Sequence, residues 1–177
     1  MLLGGFAVEW ARRRVYGNGM QFITITVAES PEDMAHVQGL FEEYAAWLGF
    51  SLCFQDFDQE LATLPGKYAP PGGRLLLARW GDAVAGCGAL RPLEPGICEM
   101  KRVYVRPAFR GQGLGRRLAE RLIAEAKVIG YVSMRLDTIP QKMAEAERLY
   151  LALGFREIPA YYDNPREGAR YYELRLN

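Results

Sequence analysis

The run Val103-Tyr104-Val105-Arg106-Pro107-Ala108-Phe109-Arg110-Gly111-Gln112-Gly113-Leu114-Gly115-Arg116-Arg117 carries a β-type pattern through a glycine-rich turn into a helical one. Glycine lets a backbone approach a ligand closely, and the free N–H groups at a helix start carry about half a positive charge, so such a turn suits phosphate oxygens. Arg110, Arg116 and Arg117 add charge at its shoulders. The same turn also serves as a plain strand-to-helix connection, and spacing has to separate the two. A dinucleotide-type G-x-G-x-x-G needs glycine where Arg116 or Leu118 stands, and no G-x-x-x-x-G-K-[ST] occurs anywhere. What does fit is R-x-x-G-x-G, met by Arg110, Gly113 and Gly115.

That spacing lies in a V-x-P-x-x-R-G-x-G-x-G run from Val105 to Gly115, and L-Y-x-x-L-G-F follows at Leu149 to Phe155. Together, in this order, they resemble the GNAT superfamily of acyl-CoA N-acyltransferases over about Ile23 to Leu176. The resemblance implies an α/β (α+β) fold, a central twisted mixed sheet flanked by helices, with the strands at Val105 and Leu136 splayed to bind acetyl-CoA. It implies that the backbone from Gly111 through Gln112, Gly113, Leu114 and Gly115 to Arg116, beside Arg110, holds the coenzyme A diphosphate. The edge of Val103, Tyr104 and Val105 would hydrogen-bond the pantetheine arm as an added strand does. One position departs from the pattern: Met143 stands where members often carry asparagine, seven residues before Tyr150.

Acyl transfer to an amine needs the amine neutral, and for a lysine-like pKa of about 10.4 deprotonation at pH 7 costs about 4.6 kcal/mol. A base, or water leading to one, is required. Glu99 is the first candidate: it precedes Val103 by four and shares its strand face if no bulge intervenes, and it matches the carboxylate position of some family members. Asp137, at the end of the neighbouring strand, is the second. The plain alternative pairs Glu99 with Lys101 or Arg102 on an ordinary surface. Tyr150 matches the tyrosine that protonates the departing thiolate in many members, and its spacing also fits a core aromatic. No cysteine or serine has an evident activating partner, so transfer is expected to be direct, without an acyl-enzyme. A non-catalytic acyl-CoA-binding or sensing module is the competing reading.

The acceptor, a small-molecule or protein amine, is weakly marked. Tyr44, Trp47, Phe50, Phe54, Asp56, Phe57, Asp58 and Tyr68 mix aromatics with acids, a stripe that suits either a core or an organic cation. Tyr161, Tyr162 and Asp163 could add a wall.

The elements that must position these groups read clearly. Ile23 to Val27 alternates as a half-buried strand, and Ser30-Pro31-Glu32-Asp33 opens a helix that runs to about Leu48 before Gly49. A short helix covers Phe57 to Leu64. Leu75 to Trp80, Gly81-Asp82 and Ala83 to Arg91 form a hairpin, and Ile97 to Val105 is the next strand. Leu114, Leu118, Leu122, Ala126 and Ile129 mark a helix stopped by Gly130. Val132, Met134 and Leu136 alternate as a strand. Ala146 to Leu153 is helical up to Gly154, and Tyr172, Leu174 and Leu176 close the chain.

Composition narrows the function classes. The 177 residues are 50% apolar and 24% charged, a globular profile with one domain expected over 20–177 and residues 1–19 as a peripheral leader. A net charge of +1 gives no basic excess for a nucleic-acid partner. The single histidine, His36, shares a helical face with Glu32, Asp33 and Glu43, which argues against a histidine metal site or a Ser-His-Asp triad. Cys53, Cys87 and Cys98 form no C-x-x-C pair and are expected as buried thiols, so no metal is anticipated. No run reaches membrane-spanning length, and the basic cluster Arg12 to Arg14 follows rather than precedes the apolar N-terminal stretch. A cytoplasmic monomer or homodimer is expected.

Overall fold

Alternation along the strands decides how the layers form. In β2 (Arg74–Trp80), Leu75 and Leu77 pack with Val37, Leu40 and Phe41, whereas Leu76 and Ala78 pack with Leu114, Leu118 and Leu122. One sheet therefore separates two apolar layers, each buried leucine contributing about 1.5–3 kcal/mol. The computed structural model describes residues 22–49, 52 and 56–176. The expected leader and the candidate residues Phe50, Cys53 and Phe54 lie outside them.

The sheet has seven strands in the order β1-β2-β3-β4-β5-β7-β6. The strands are β1 (Ile23–Val27), β2, β3 (Ala83–Glu94), β4 (Ile97–Val105), β5 (Ser133–Thr138), β6 (Arg156–Ile158) and β7 (Arg170–Arg175). All neighbours are antiparallel except β4 and β5. A parallel pair needs a crossover, here α3 (Leu114–Ile129), which packs on the face opposite α1 (Pro31–Leu48). The short α2 (Phe57–Ala62) joins the α1 side through buried Phe57, and α4 (Pro140–Ala152) joins the α3 side through buried Tyr150.

Local signals explain the ends of α1. The Ser30 hydroxyl accepts from the Asp33 N–H at 3.0 Å, the Asp33 carboxylate accepts from the Ser30 N–H at 3.3 Å, and Gly49 closes the helix at φ +71°. Three expectations need correction. Val132 is exposed and precedes its strand, which starts at Ser133. The last helix begins at Pro140, suited to a first turn by its fixed φ, and breaks its helical dihedrals at Met143 (φ −129°, ψ 39°). The three-residue β6 was not anticipated, being too short to show a period.

The decisive irregularity lies in β4. Its register against β3 runs from Cys87↔Tyr104 to Ala89↔Lys101, three steps on β4 against two on β3. The extra residue is a β-bulge, with Arg102 at φ +56°. Cys98 and Met100 therefore share the α3 face with Val103 and Val105, while Tyr104 packs toward α1. The bulge that Glu99 had to avoid is present, so Glu99 does not share a face with Val103.

Candidate active site

β4 and β5 are paired only from Ile97↔Ser133 to Glu99↔Arg135, although both strands continue. Beyond Glu99 they part, as expected for the strands at Val105 and Leu136, and the β4 edge facing β5 has no strand partner among the described residues. A cleft opens in the gap, lined by Lys101, Val103, Leu136, Asp137, Met143 and Tyr150, with Tyr44 and Asn164 at its α1 and β7 sides.

The glycine turn follows the end of β4 beyond the splay, with Gly115 against the Val105 side chain. Gly111 and Gly113 take φ +74° and +77°, a left-handed conformation that explains the residue type, and a Cβ at either would meet nothing within 4 Å. Gly113 is the N-cap of α3 and no side chain caps it. Among the described residues no backbone acceptor meets the N–H groups from Gly111 to Arg116, the donors that a helix start leaves over. Leu114 and Tyr104 bury their side chains in the two cores, which leaves only their backbone for a ligand. Arg116 pairs with Glu120 at 3.3 Å on the surface. Arg110 turns away from the loop: its Nε donates to the Val105 carbonyl at 2.9 Å, and its guanidinium stacks 5.0 Å from the Trp47 ring and 5.7 Å from that of Tyr104.

Tyr150 reaches the cleft from α4, edge-on to Phe155 at 5.8 Å. Burial, then Tyr44 and Asp137, pushes its phenol well above the usual value, so the proton stays on. Burial likewise raises Tyr44, to about 12.

Glu99 is 1% exposed and far from an ordinary surface residue. One carboxylate oxygen accepts from Arg91 Nε at 2.8 Å and Nη2 at 2.7 Å, and the other accepts from the Tyr161 hydroxyl at 2.8 Å. Lys101 Nζ stands 3.7 Å from Glu99 and donates to Asp137 at 2.9 Å. Asp137 also accepts from the Tyr162 hydroxyl at 2.8 Å. Burial pushes the Asp137 carboxyl up, but the Lys101 charge and hydrogen bonds from Lys101 and Tyr162 outweigh it, leaving it below the usual range. Arg102 forks onto Glu60 at 2.8 and 2.9 Å, with the Tyr68 hydroxyl on the same carboxylate. Of the two base candidates, Asp137 lines the cleft and Glu99 does not.

The sequence reading missed Glu60, Arg91 and the depth of Lys101 and Arg102; two adjacent cations in a buried strand were the available signal. The aromatic and acidic stripe divides. Phe57 and Tyr68 are core, Tyr44 reaches the cleft, and Asp56 and Asp58 face solvent. Tyr161 and Tyr162 spend their hydroxyls on Glu99 and Asp137, while Asp163 is exposed.

Comparison with known proteins meets this geometry. The family model described as "Acetyltransferase (GNAT) family" matches residues 37–155. An uncharacterized N-acetyltransferase of Schizosaccharomyces pombe is 41% identical over 157 residues, 88% of this chain and 96% of that protein. An acetyltransferase of the GNAT family from Staphylococcus aureus shares the fold at a TM-score of 0.72 and 21% identity, over 88% of this chain and 99% of that one. The Salmonella typhimurium yncA protein, solved with its cofactor acetyl-CoA, aligns at a TM-score of 0.67 and 26% identity, over 88% of this chain and 94% of that one. On its matched length, its order of elements and its glycine turn, the chain belongs to the GNAT acetyltransferase family.

Proposed function

We propose that the chain moves an acetyl group from acetyl-CoA directly to an amine in a ternary complex. The observation that carries this reading is the splay of β4 from β5 with Tyr150 in the cleft it opens, followed along the chain by a glycine turn whose amides from Gly111 to Arg116 meet no backbone acceptor among the described residues. Those amides would hold the diphosphate, and the backbone from Val103 to Val105 would take the pantetheine arm by strand addition. When bound, acetyl-CoA supplies a thioester carbonyl and a thiolate leaving group. Tyr150, whose phenol is protonated at neutral pH, gives its proton to the departing sulfur. The proton lost by the amine enters a carboxylate network at Asp137, coupled through Lys101 to Glu99. Arg110 is assigned to holding the loop against α1 through Val105, Trp47 and Tyr104. The expectation of a cytoplasmic monomer or homodimer, without nucleic-acid or membrane partners, is carried into this reading.

The test is release of coenzyme A thiol from acetyl-CoA across a panel of amines, beside calorimetric binding of acetyl-CoA. Release that depends on an amine is expected. A sensing module is the second reading, favoured by Met143 at the cleft, where the family often has asparagine. Tight binding with no release for any amine would establish it instead.

A further inference from the structure

Three buried ion pairs stand on the α1 side of the splay: Arg91–Glu99 at 2.7 Å, Lys101–Asp137 at 2.9 Å and Arg102–Glu60 at 2.8 Å. Cations and carboxylates balance, and the Arg102 guanidinium is spent on Glu60, which leaves Lys101 and Asp137 as the charged pair at the cleft. Lys101 is the informative member. Its side chain is 5% exposed, and an ammonium has three N–H donors. Only one is engaged within hydrogen-bond distance among the described residues, at Asp137, since Glu99 stands at 3.7 Å. The Lys101 charge is met by Asp137 and Glu99, but its spare N–H donors suit an acceptor oxygen that enters the cleft.

We infer that the acceptor is a small amine that carries its own carboxylate, with Lys101 binding the carboxylate and Asp137 facing the amine. The inference rests on the acetyltransferase reading and names its substrate class. Two physical steps support it. An acceptor with an ammonium and a carboxylate adds no net charge to a balanced buried cluster, whereas a purely cationic amine adds an uncompensated one. When Asp137 takes the amine's proton, Lys101 loses its counter-charge, and the acceptor's carboxylate replaces it. The acids of the aromatic stripe, Asp56 and Asp58, face solvent, so of the charged residues named above, the cleft holds Asp137 with Lys101 beside it.

The experiment measures thiol release by the full chain with free amino acids, the amides and methyl esters of the same amino acids, and polyamines. The acids are expected to exceed their amides and esters by about tenfold or more in kcat/KM. That preference would hold although the ammonium groups of the amides and esters deprotonate more easily at a given pH. Lys101→Met is expected to abolish the preference in protein whose melting is still cooperative. Amides, esters or polyamines used as well as the acids would overturn the inference while leaving the acetyltransferase reading intact. No release with any amine, despite acetyl-CoA binding, would retire both.

Discussion

Tyr150 and Asp137 ask opposite things of one buried cleft. Burial raises the Tyr150 phenol, which preserves an acid, whereas Lys101 and Tyr162 overcome burial at Asp137 and preserve an anion. Tyr150→Phe keeps the ring against Phe155 and removes only the proton, so kcat is expected to fall by about 10²–10³-fold with acetyl-CoA affinity unchanged in calorimetry. Equal losses in kcat and in affinity would assign Tyr150 to binding. Asp137 also makes a pH prediction. Its folded pKa lies below the unfolded value of about 3.9, so its stabilisation is complete above that value and fades as pH falls through the folded one. Urea midpoints measured from pH 6 down to about 2.5 should show this acid loss in the wild type and a smaller one in Asp137→Asn. Tyr150 was legible because L-Y-x-x-L-G-F is local. The partners of Glu99 were not, because Arg91 and Tyr161 lie 8 and 62 residues away along the chain.

The bulge in β4 is the feature that strand patterning could not show. Ile97 to Val105 was correctly bounded, but its phase slips at Arg102, a non-glycine residue at φ +56° that nothing in the sequence marks. The slip lets Val103 and Val105 face α3 while Lys101 and Arg102 both enter the charged cluster. Arg102→Met relieves no backbone strain and leaves Glu60 buried without its ion-pair partner, so a loss of about 3–5 kcal/mol is expected in urea unfolding. A change below about 1 kcal/mol would mean that the bulge stands without its ion pair. At the start of α3, Gly113→Val places a β-branched residue at φ +77° and a side chain in the space assigned to the diphosphate. About 1–2 kcal/mol of stability should be lost. Acetyl-CoA affinity should fall by about tenfold or more, beyond what partial unfolding explains. The turn was legible from its glycines, and α1 from its cap. The kink of α4 at Met143 was not, since methionine is an ordinary helix former.

Seen whole, the molecule is two sheet halves joined at β4 and β5 by the register pairs Ile97↔Ser133, Cys98↔Met134 and Glu99↔Arg135. Their divergence gives the cleft its walls: Tyr150 on the α4 side and the Lys101–Asp137 pair on the α1 side. Periodicity located the strands, but only the resemblance to acyl-CoA N-acyltransferases anticipated the splay, because a parallel pair that parts halfway leaves no mark in the alternation of either strand. Family membership places the chain among the GNAT acetyltransferases, and the proposed choice of amine rests on the ion-pair cluster. The most direct measurement is the stoichiometry of thiol release against acetylated amine, followed by mass in one reaction of purified protein, acetyl-CoA and a carboxylate-bearing amine. One N-acetylated product per thiol released, with no acetyl group left on the protein, is the result predicted. Thiol release without acetylated amine, or an acetyl group trapped on the chain, would contradict direct transfer in this cleft.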